Sequence, residues 1–245
     1  MTFDILGSIA ILKFPEGTKI KDKKQQAKKL LENKNIKTVL EKSEKVKGRL
    51  RTIKTKYLAG IKTKETIHKE SGCLFKLDTD SCYFSPRLSG ERLALAGKIK
   101  SGRVLVMFSG VGPFPIIIAK KNPKTKVTSI ELGKKCCKYA RENSILNRLN
   151  NLQVIQGDVK RVVPKLKTKY DYIVMPRPQL KDTFLQEALK VSKPGTRIFY
   201  YDFSSNPEEI LEKIKNPRLK VLSIKKAGDI APYKFRWRVD LRVIR

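Results

Sequence analysis

Residues 103–120 read RVLVMFSGVGPFPIIIAK: an apolar run, a glycine pair at Gly110 and Gly112, then a second apolar run behind two prolines. An unbroken apolar stretch closed by turn residues predicts a strand covered on both faces. The glycines permit a tight turn from strand to helix and let a ligand approach the amides at the helix start. A bare turn explains them equally well, so the neighbouring strands must decide.

Those neighbours continue the pattern. Strands are predicted at KVTSIE (126–131), LQVIQGD (152–158), YDYIVMP (170–176), TRIFYYDF (196–203), LKVLSIK (219–225) and FRWRVDLRVI (235–244). Helical patterns fall at 133–149, 180–192 and 207–215. The last two strands alternate and are expected to form an antiparallel edge joined by a loop over Gly228–Pro232. This is the pattern of a doubly wound α/β sheet. Glu131 ends the second strand about 20 residues after the glycines, where an acid accepts hydrogen bonds from ribose hydroxyls. Asp158 ends the third, placed to meet an adenine amine. Phe114 and Pro115 stand where a dinucleotide fingerprint needs a third glycine to seat a pyrophosphate. S-adenosylmethionine has no phosphate to cradle, so it suits the loop better than NAD.

The first hundred residues read as a smaller α+β unit. FDILGSIAILKF (3–14) is predicted as one strand, 21–34 as a basic helix, and KTVLEKSE (37–44), RTIKTKYLAG (51–60) and CLFKLD (73–78) as strands. PRLSGERLALAGKI (86–99) reads as a helix opened by proline. The expected division is a small basic domain at 1–84, a linking helix at 85–101 and a cofactor-binding domain at 102–245.

The chain of 245 residues carries 55 Lys and Arg against 23 Asp and Glu, a formal charge of +32. Lysines crowd KIKDKKQQAKK (19–29) and KSEKVKGRLRTIKTK (42–56). Such an excess points to a polyanionic partner, most simply RNA. Lys54, Lys56, Tyr83, Arg87 and Arg92 are the candidate RNA contacts. No apolar run approaches the ~18 residues of a membrane span, and no signal peptide is visible, so a cytoplasmic protein is expected. His68 is the only histidine, which excludes His-dependent triads and multi-His metal sites. Cys73, Cys82, Cys136 and Cys137 lack zinc-site spacing and are expected to stay reduced.

Two loops complete the set. MPRPQL (175–180) fixes an extended turn around Arg177 and is expected to wall the acceptor pocket. In SPRLSGER (85–92), Arg87 and Arg92 are placed either to pair with Glu91 or to face RNA and the reacting base.

FDILGSIAI, KTVLEKSEKVKGRLR, ETIHKESGCLFKLD, YFSPRLSGER and MFSGVGPF together resemble the archaeal and eukaryotic tRNA guanine-37 N1-methyltransferases, over essentially the whole chain. The related aminocarboxypropyltransferases of wyosine biosynthesis share the architecture, but Pro113-Phe114 favours the methyltransferase branch. The resemblance implies a Rossmann-like class I methyltransferase sheet, S-adenosylmethionine as cofactor, and methylation of N1 of the guanine beside the anticodon. It also implies, in some members, methylation of C7 of a wyosine precursor. Phe108, Gly110, Val111, Gly112, Pro113 and Phe114 are then assigned to the methionine and sulfonium end. Glu131 and Leu132 go to the ribose, Asp158 and Val159 to the adenine, and Met175 and Pro176 to the same pocket. Arg87, Arg177 and Pro178 would face the target base, with Arg87 stabilising charge on its O6; Glu91 and Glu131 are both open as the base that removes the N1 proton. The expected partner is the tRNA anticodon stem-loop, and the protein is expected to be a monomer without metal and without the family's extra tRNA-corner domain.

The chain departs from the family at two positions. Pro176 takes the slot of an Asn, and Val106 that of a strand-end acid. A non-catalytic RNA binder and an aminocarboxypropyltransferase are the competing readings.

Overall fold

The computed structural model describes residues 2–43, 52–178 and 180–245. The basic stretch at 44–51, which includes the predicted strand ends at 44 and 51, and Gln179 of the MPRPQL loop lie outside the described residues. Strands β1 (Thr2–Leu6), β2 (Ile9–Lys13), β3 (Thr38–Lys42) and β4 (Thr55–Gly60) form one sheet in that order. FDILGSIAILKF is therefore a hairpin and not one strand. Gly7, at φ +54°, turns the chain between β1 and β2, and its amide donates to His68 Nδ1 at 3.2 Å. The basic helix α1 (Ile20–Leu31) is the crossover that parallel β2 and β3 require. It buries Ala27 against Leu12, Val39 and Leu58, pairs the half-buried Lys23 with Glu41 at 2.6 Å, and leaves Lys21, Lys24, Lys28 and Lys29 exposed.

A second hairpin follows, β5 (Glu65–Glu70) and β6 (Cys73–Asp78). Ser71 and Gly72 both have positive φ, as the tightest hairpin turns demand. A turn at Pro86–Leu88 then leads into α2 (Ser89–Gly97), shorter than the predicted 86–99 helix.

The main sheet is built from β7 (Gly102–Met107), α3 (Pro113–Lys121), β8 (Thr125–Glu131), α4 (Lys134–Leu146), β9 (Leu152–Gln156), α5 (Val159–Val162), β10 (Tyr170–Met175), α6 (Leu185–Lys190), β11 (Ser192–Ser204), α7 (Pro207–Lys213), β12 (Leu219–Ala231) and β13 (Lys234–Val243). Its order is β12-β13-β11-β10-β7-β8-β9, parallel from β11 to β9, with β13 antiparallel to both neighbours. Side chains of β7 alternate between two cores. Val104 and Val106 pack on one side with Phe114 and Phe199, while Leu105 and Met107 pack on the other with Ile173 and Ile198. That is why RVLVMF is apolar without interruption. It is also why Val106 holds no polar contact: it is fully buried.

The chain runs outward from β7 through β8 to β9, then returns to place β10 on β7's other side. The carboxyl ends of β7 and β10 thus border the crevice where doubly wound sheets bind ligands. The predicted 228–232 loop is instead strand through Ala231, with bulges along β12 and only Pro232 and Tyr233 in the turn. The predicted 180–192 helix is reduced to α6, because the Leu180 and Asp182 carbonyls are taken by side-chain bonds described below.

Candidate active site

At the end of β7 the chain passes through Phe108 (φ +60°), Gly110 (φ +58°) and Gly112 (φ +92°) before α3 begins at Pro113. A Cβ on Gly112 would lie 2.8 Å from Ile116 Cδ1, so this position needs glycine for space as well as for φ. Phe108 is held at its unusual φ with its ring edge-on to Phe184, centroids 5.0 Å apart. The turn aims the Gly110 amide at Glu131, which accepts it on Oε2 at 2.7 Å and the Gly133 amide on Oε1 at 2.7 Å. Burial pushes the Glu131 carboxyl above its ordinary pKa, and the Gly133 and Gly110 amides pull the other way. Asp158 caps α5, its Oδ1 accepting the Lys160 amide at 2.9 Å.

These elements enclose a cavity at the β7–β10 crevice. Of the residues assigned to the cofactor, Phe108, Gly110, Pro113, Phe114, Glu131, Leu132, Asp158, Val159 and Pro176 line it. Val111, Gly112 and Met175 do not: Val111 and Met175 are fully buried in the two cores, and Gly112 shapes the turn. Tyr83, Phe84, Ser85 and Leu88 line it as well, and so does Pro178. Ser109, Tyr201 and Arg236 also reach the cavity and went unread in the sequence, where nothing separates them from core residues of their strands. The Ser109 hydroxyl is buried and has no partner among the described residues, a polar atom left for a ligand.

Three predicted roles are corrected by geometry. Arg92 is 1% exposed and chelates Glu70, with Nε to Oε1 at 2.6 Å and Nη2 to both Oε2 and the Ser85 carbonyl. It lines the cavity with Nε and Nη2 engaged and presents almost no surface to RNA. Arg87 pairs with Asp4 at 2.8 Å, not with Glu91, and stays outside the cavity. Arg177 is 1% exposed; its Nη1 pairs with Asp202 Oδ1 at 2.6 Å, and Nη2 bonds the Leu180 and Asp182 carbonyls. It clamps the MPRP loop from behind and cannot meet a base. Glu91 Oε1 accepts from the Tyr201 hydroxyl at 2.7 Å and from Arg238 Nη1 at 2.6 Å, which sets it just behind the cavity wall. Burial first, then Glu91, push the Tyr201 hydroxyl well above its ordinary pKa. Lys54 and Lys56 are exposed near and on β4, away from this cavity; Lys54 borders a separate depression with Lys134 and Lys135. The four cysteines are free and buried. No helix among the described residues is long and apolar enough to cross a membrane.

Residues 66–230 match the TRM5/TYW2 methyltransferase domain, and residues 1–63 the TYW2 N-terminal domain. The tRNA (guanine(37)-N(1))-methyltransferase Trm5b of Pyrococcus abyssi is 34% identical over 99% of this chain and 74% of its own length. The tRNA (guanine(37)-N(1))/4-demethylwyosine(37)-methyltransferase Taw22 of Nanoarchaeum equitans is 31% identical over the full length of both. Among solved structures, aTrm5 in complex with tRNALeu superposes with a TM-score of 0.88 at 27% identity, over 99% of this chain and 72% of that one. Methanocaldococcus jannaschii Trm5 in complex with adenosine gives 0.85 at 26%, over 100% and 72%.

Proposed function

Because the chain belongs to the TRM5/TYW2 methyltransferase family, we propose that it is an S-adenosylmethionine-dependent tRNA methyltransferase acting on N1 of guanine 37. The observation that carries this reading is the pairing of Glu131 with Gly110 at the mouth of a cavity whose other wall is aromatic and proline-rich. The cavity residues fit the cofactor. Glu131 keeps lone pairs for ribose hydroxyls, Asp158 stands beyond it for the adenine, and the orphan Ser109 hydroxyl offers a bond to a polar ligand atom. Phe114 and Pro115 leave no pyrophosphate cradle. When bound, S-adenosylmethionine supplies a methyl carbon already activated by its sulfonium. The protein is left to orient the acceptor, exclude water and take a proton.

Guanine must leave the anticodon stack to enter, and unstacked bases are commonly held between aromatic and apolar walls. Tyr83, Phe84 and Phe114 from one side and Pro176 and Pro178 from the other provide such walls. We assign the N1 proton to Glu91, reached through the Tyr201 hydroxyl, which lines the cavity and donates to Glu91. Glu131 is committed to two amides on the cofactor side, whereas Glu91 lies on the acceptor side, hydrogen-bonded to the cavity-lining Tyr201. The Asn absent at Pro176 is offset by the Arg177 clamp, which fixes the same loop. Functionally we divide the chain into a small basic domain at 1–84, a linker at 85–101 and the catalytic domain at 102–245, and we place the monomeric enzyme in the cytoplasm, where free thiols persist.

C7 methylation of the wyosine precursor is the second reading, favoured by the full-length match to the bifunctional Nanoarchaeum protein and by the TYW2-type N-terminal domain. One experiment tests the set. Unmodified tRNA is incubated with cofactor labelled either in the methyl group or in the carboxyl carbon, and its nucleosides are resolved by mass spectrometry. Methyl label in 1-methylguanosine supports the proposal. Carboxyl label in RNA identifies aminocarboxypropyl transfer, and no label in RNA identifies a pure binder.

A further inference from the structure

Cys82, in the turn after β6, and Cys136, in the first turn of α4, bring two thiols together beside the cofactor cavity. The Cys136 thiol donates to the Ser81 carbonyl at 3.4 Å, which sets its sulfur against the peptide leading into Cys82. A second tie joins the same segments, from Lys135 Nζ to Ser81 Oγ at 3.1 Å. The Cys82 and Cys136 thiols are themselves hydrogen-bonded, and both belong to the core beneath the glycine turn. Both are buried, but they are not equally hidden. Cys136 lines the cofactor cavity and also the depression bordered by Lys54, whereas Cys82 lines neither. A small oxidant therefore meets Cys136 first. The bond to Cys136 and then burial push the Cys82 thiol well above its ordinary pKa, so it keeps its proton until Cys136 has reacted.

Each sulfur is tied to the cofactor seat. Just beyond Cys82, the Tyr83 carbonyl stands 3.8 Å from where a Cβ on Gly110 would lie, and Tyr83 and Phe84 line the cavity. Just ahead of Cys136, the Gly133 amide donates to Glu131 Oε1, whose other oxygen holds the Gly110 amide. Drawing the sulfurs together moves the Tyr83 segment and the start of α4 toward each other across the glycine turn and its acid. Resting on the cofactor site described above, we propose that Cys82 and Cys136 form a reversible disulfide that weakens S-adenosylmethionine binding. The oxidant is a hydroperoxide, in the simplest case hydrogen peroxide. The Cys136 thiolate attacks one peroxide oxygen, the O–O bond breaks, and the departing hydroxide takes a proton, leaving a sulfenic acid and water. The Cys82 sulfur then attacks the sulfenic sulfur, and its proton leaves with the hydroxyl group as a second water. Two thiols and one peroxide thus give one disulfide and two waters, and a small dithiol reverses the step by exchange. In a reducing compartment disulfides are of this transient, sensing kind. By linkage, oxidation and cofactor occupancy oppose each other by the same factor.

The test treats the intact, fully reduced protein with hydrogen peroxide, maps its thiols by mass spectrometry after alkylation, and measures S-adenosylhomocysteine affinity by calorimetry. A linked Cys82–Cys136 peptide pair is expected. The linked protein should bind the ligand about tenfold more weakly, the scale of one disturbed hydrogen bond to a charged group, and dithiothreitol should restore it. In a dithiothreitol redox buffer, saturating ligand should shift the pair toward its thiols by that same factor. Cys82→Ala should stop at a sulfenic acid on Cys136, caught by dimedone, whereas in Cys136→Ala the Cys82 thiol should survive. The proposal is overturned if peroxide leaves both thiols free, or if it drives Cys136 to sulfinic acid with Cys82 untouched. Equal ligand affinity in the linked and reduced proteins also overturns it. A reduced protein that binds no S-adenosylhomocysteine removes the cofactor reading itself; tight binding that survives the linkage removes this proposal alone.

Discussion

The Gly110 amide and the Glu131 carboxylate are joined at 2.7 Å across the end of the sheet, so the glycine turn and the ribose-binding acid form one unit. Only the ionised carboxylate offers acceptors to both the amide and a ribose. Burial raises the Glu131 pKa, so cofactor affinity is expected to rise with pH through a window above the ordinary carboxylate range and then level off. For folding the sign is the reverse: the contribution is fully present below the ordinary carboxylate pKa and is lost as pH rises through the raised one. Glu131→Gln should flatten the pH dependence and weaken binding about tenfold to a hundredfold, the scale of hydrogen bonds to a charged group. Calorimetric titrations with S-adenosylhomocysteine from acid to neutral pH check it.

The two glycines of the turn should respond differently to alanine. At Gly112 an added Cβ meets Ile116 at 2.8 Å as well as an unfavourable φ, whereas at Gly110 the nearest neighbour is the Tyr83 carbonyl at 3.8 Å. Gly110→Ala is expected to cost the left-handed backbone penalty alone, about 1–2 kcal/mol. Gly112→Ala adds overpacking, for a total of about 3 kcal/mol. Urea midpoints of the two variants, compared at constant m-value, read the difference.

Asn143 and Asn147, one turn apart on α4, act as a strand edge for β6. Each side-chain oxygen accepts a β6 amide and each side-chain nitrogen donates to the same residue's carbonyl, Lys76 for Asn143 and Leu74 for Asn147. Asn143 also holds the Val111 carbonyl at 3.0 Å, which ties the hairpin to the cofactor turn. Asn143→Leu leaves these buried backbone groups unpaired and should cost about 3 kcal/mol. It should also weaken cofactor binding, which Asn147→Leu should spare. Thermal melts with and without S-adenosylhomocysteine separate the two effects.

Arg87 was expected to govern turnover. Its side chain is 68% exposed and that of its partner Asp4 is 46% exposed, so their pair is solvent-screened. Arg87→Ala should leave stability within about 0.5 kcal/mol of wild type and cofactor affinity unchanged. Urea unfolding and calorimetry test both.

The sheet was legible because burial on both faces leaves a simple trace in its centre: β7 and β10 end in unbroken apolar runs, and the acids that matter close the neighbouring strands β8 and β9. Elements whose periodicity misleads were not. Alternation continues through Gly7 and Ser8, so β1 and β2 read as one strand, and β5 is masked by Glu65, His68, Lys69 and Glu70. In the site, the glycine turn, Glu131 and Asp158 follow from position along the chain. Arg92 and Arg177 were taken for working residues because burial of an arginine depends on a distant acid: Glu70 lies 22 positions before Arg92, and Asp202 follows a strand after Arg177. Arg236 escaped notice because nothing along β13 marks it as the arginine of that strand that reaches the cavity.

The Arg177–Asp202 pair offers the sharpest test of the loop. Burial alone would raise the Asp202 pKa, but Arg177, Lys213 and Tyr200 overcome it and hold the carboxyl below its ordinary value. A depressed acid contributes stability that is fully present above its unfolded pKa and lost as pH falls through the folded one. Wild type should therefore lose stability below about pH 4, taking the ordinary Asp value as the upper edge of the window, and Asp202→Asn should lose less over that window. At neutral pH, Arg177→Met takes the guanidinium from a buried carboxylate that keeps Lys213 and Tyr200 and should cost about 1.5–3 kcal/mol, while Arg177→Met combined with Asp202→Leu should recover much of it. The recovered protein nevertheless lacks the bonds from Arg177 to the Leu180 and Asp182 carbonyls, so Pro176 and Pro178 lose their fixed place in the acceptor wall. Its methylation rate should stay low while its melting temperature returns. If rate and stability recover together, Arg177 serves the fold and the loop needs no clamp.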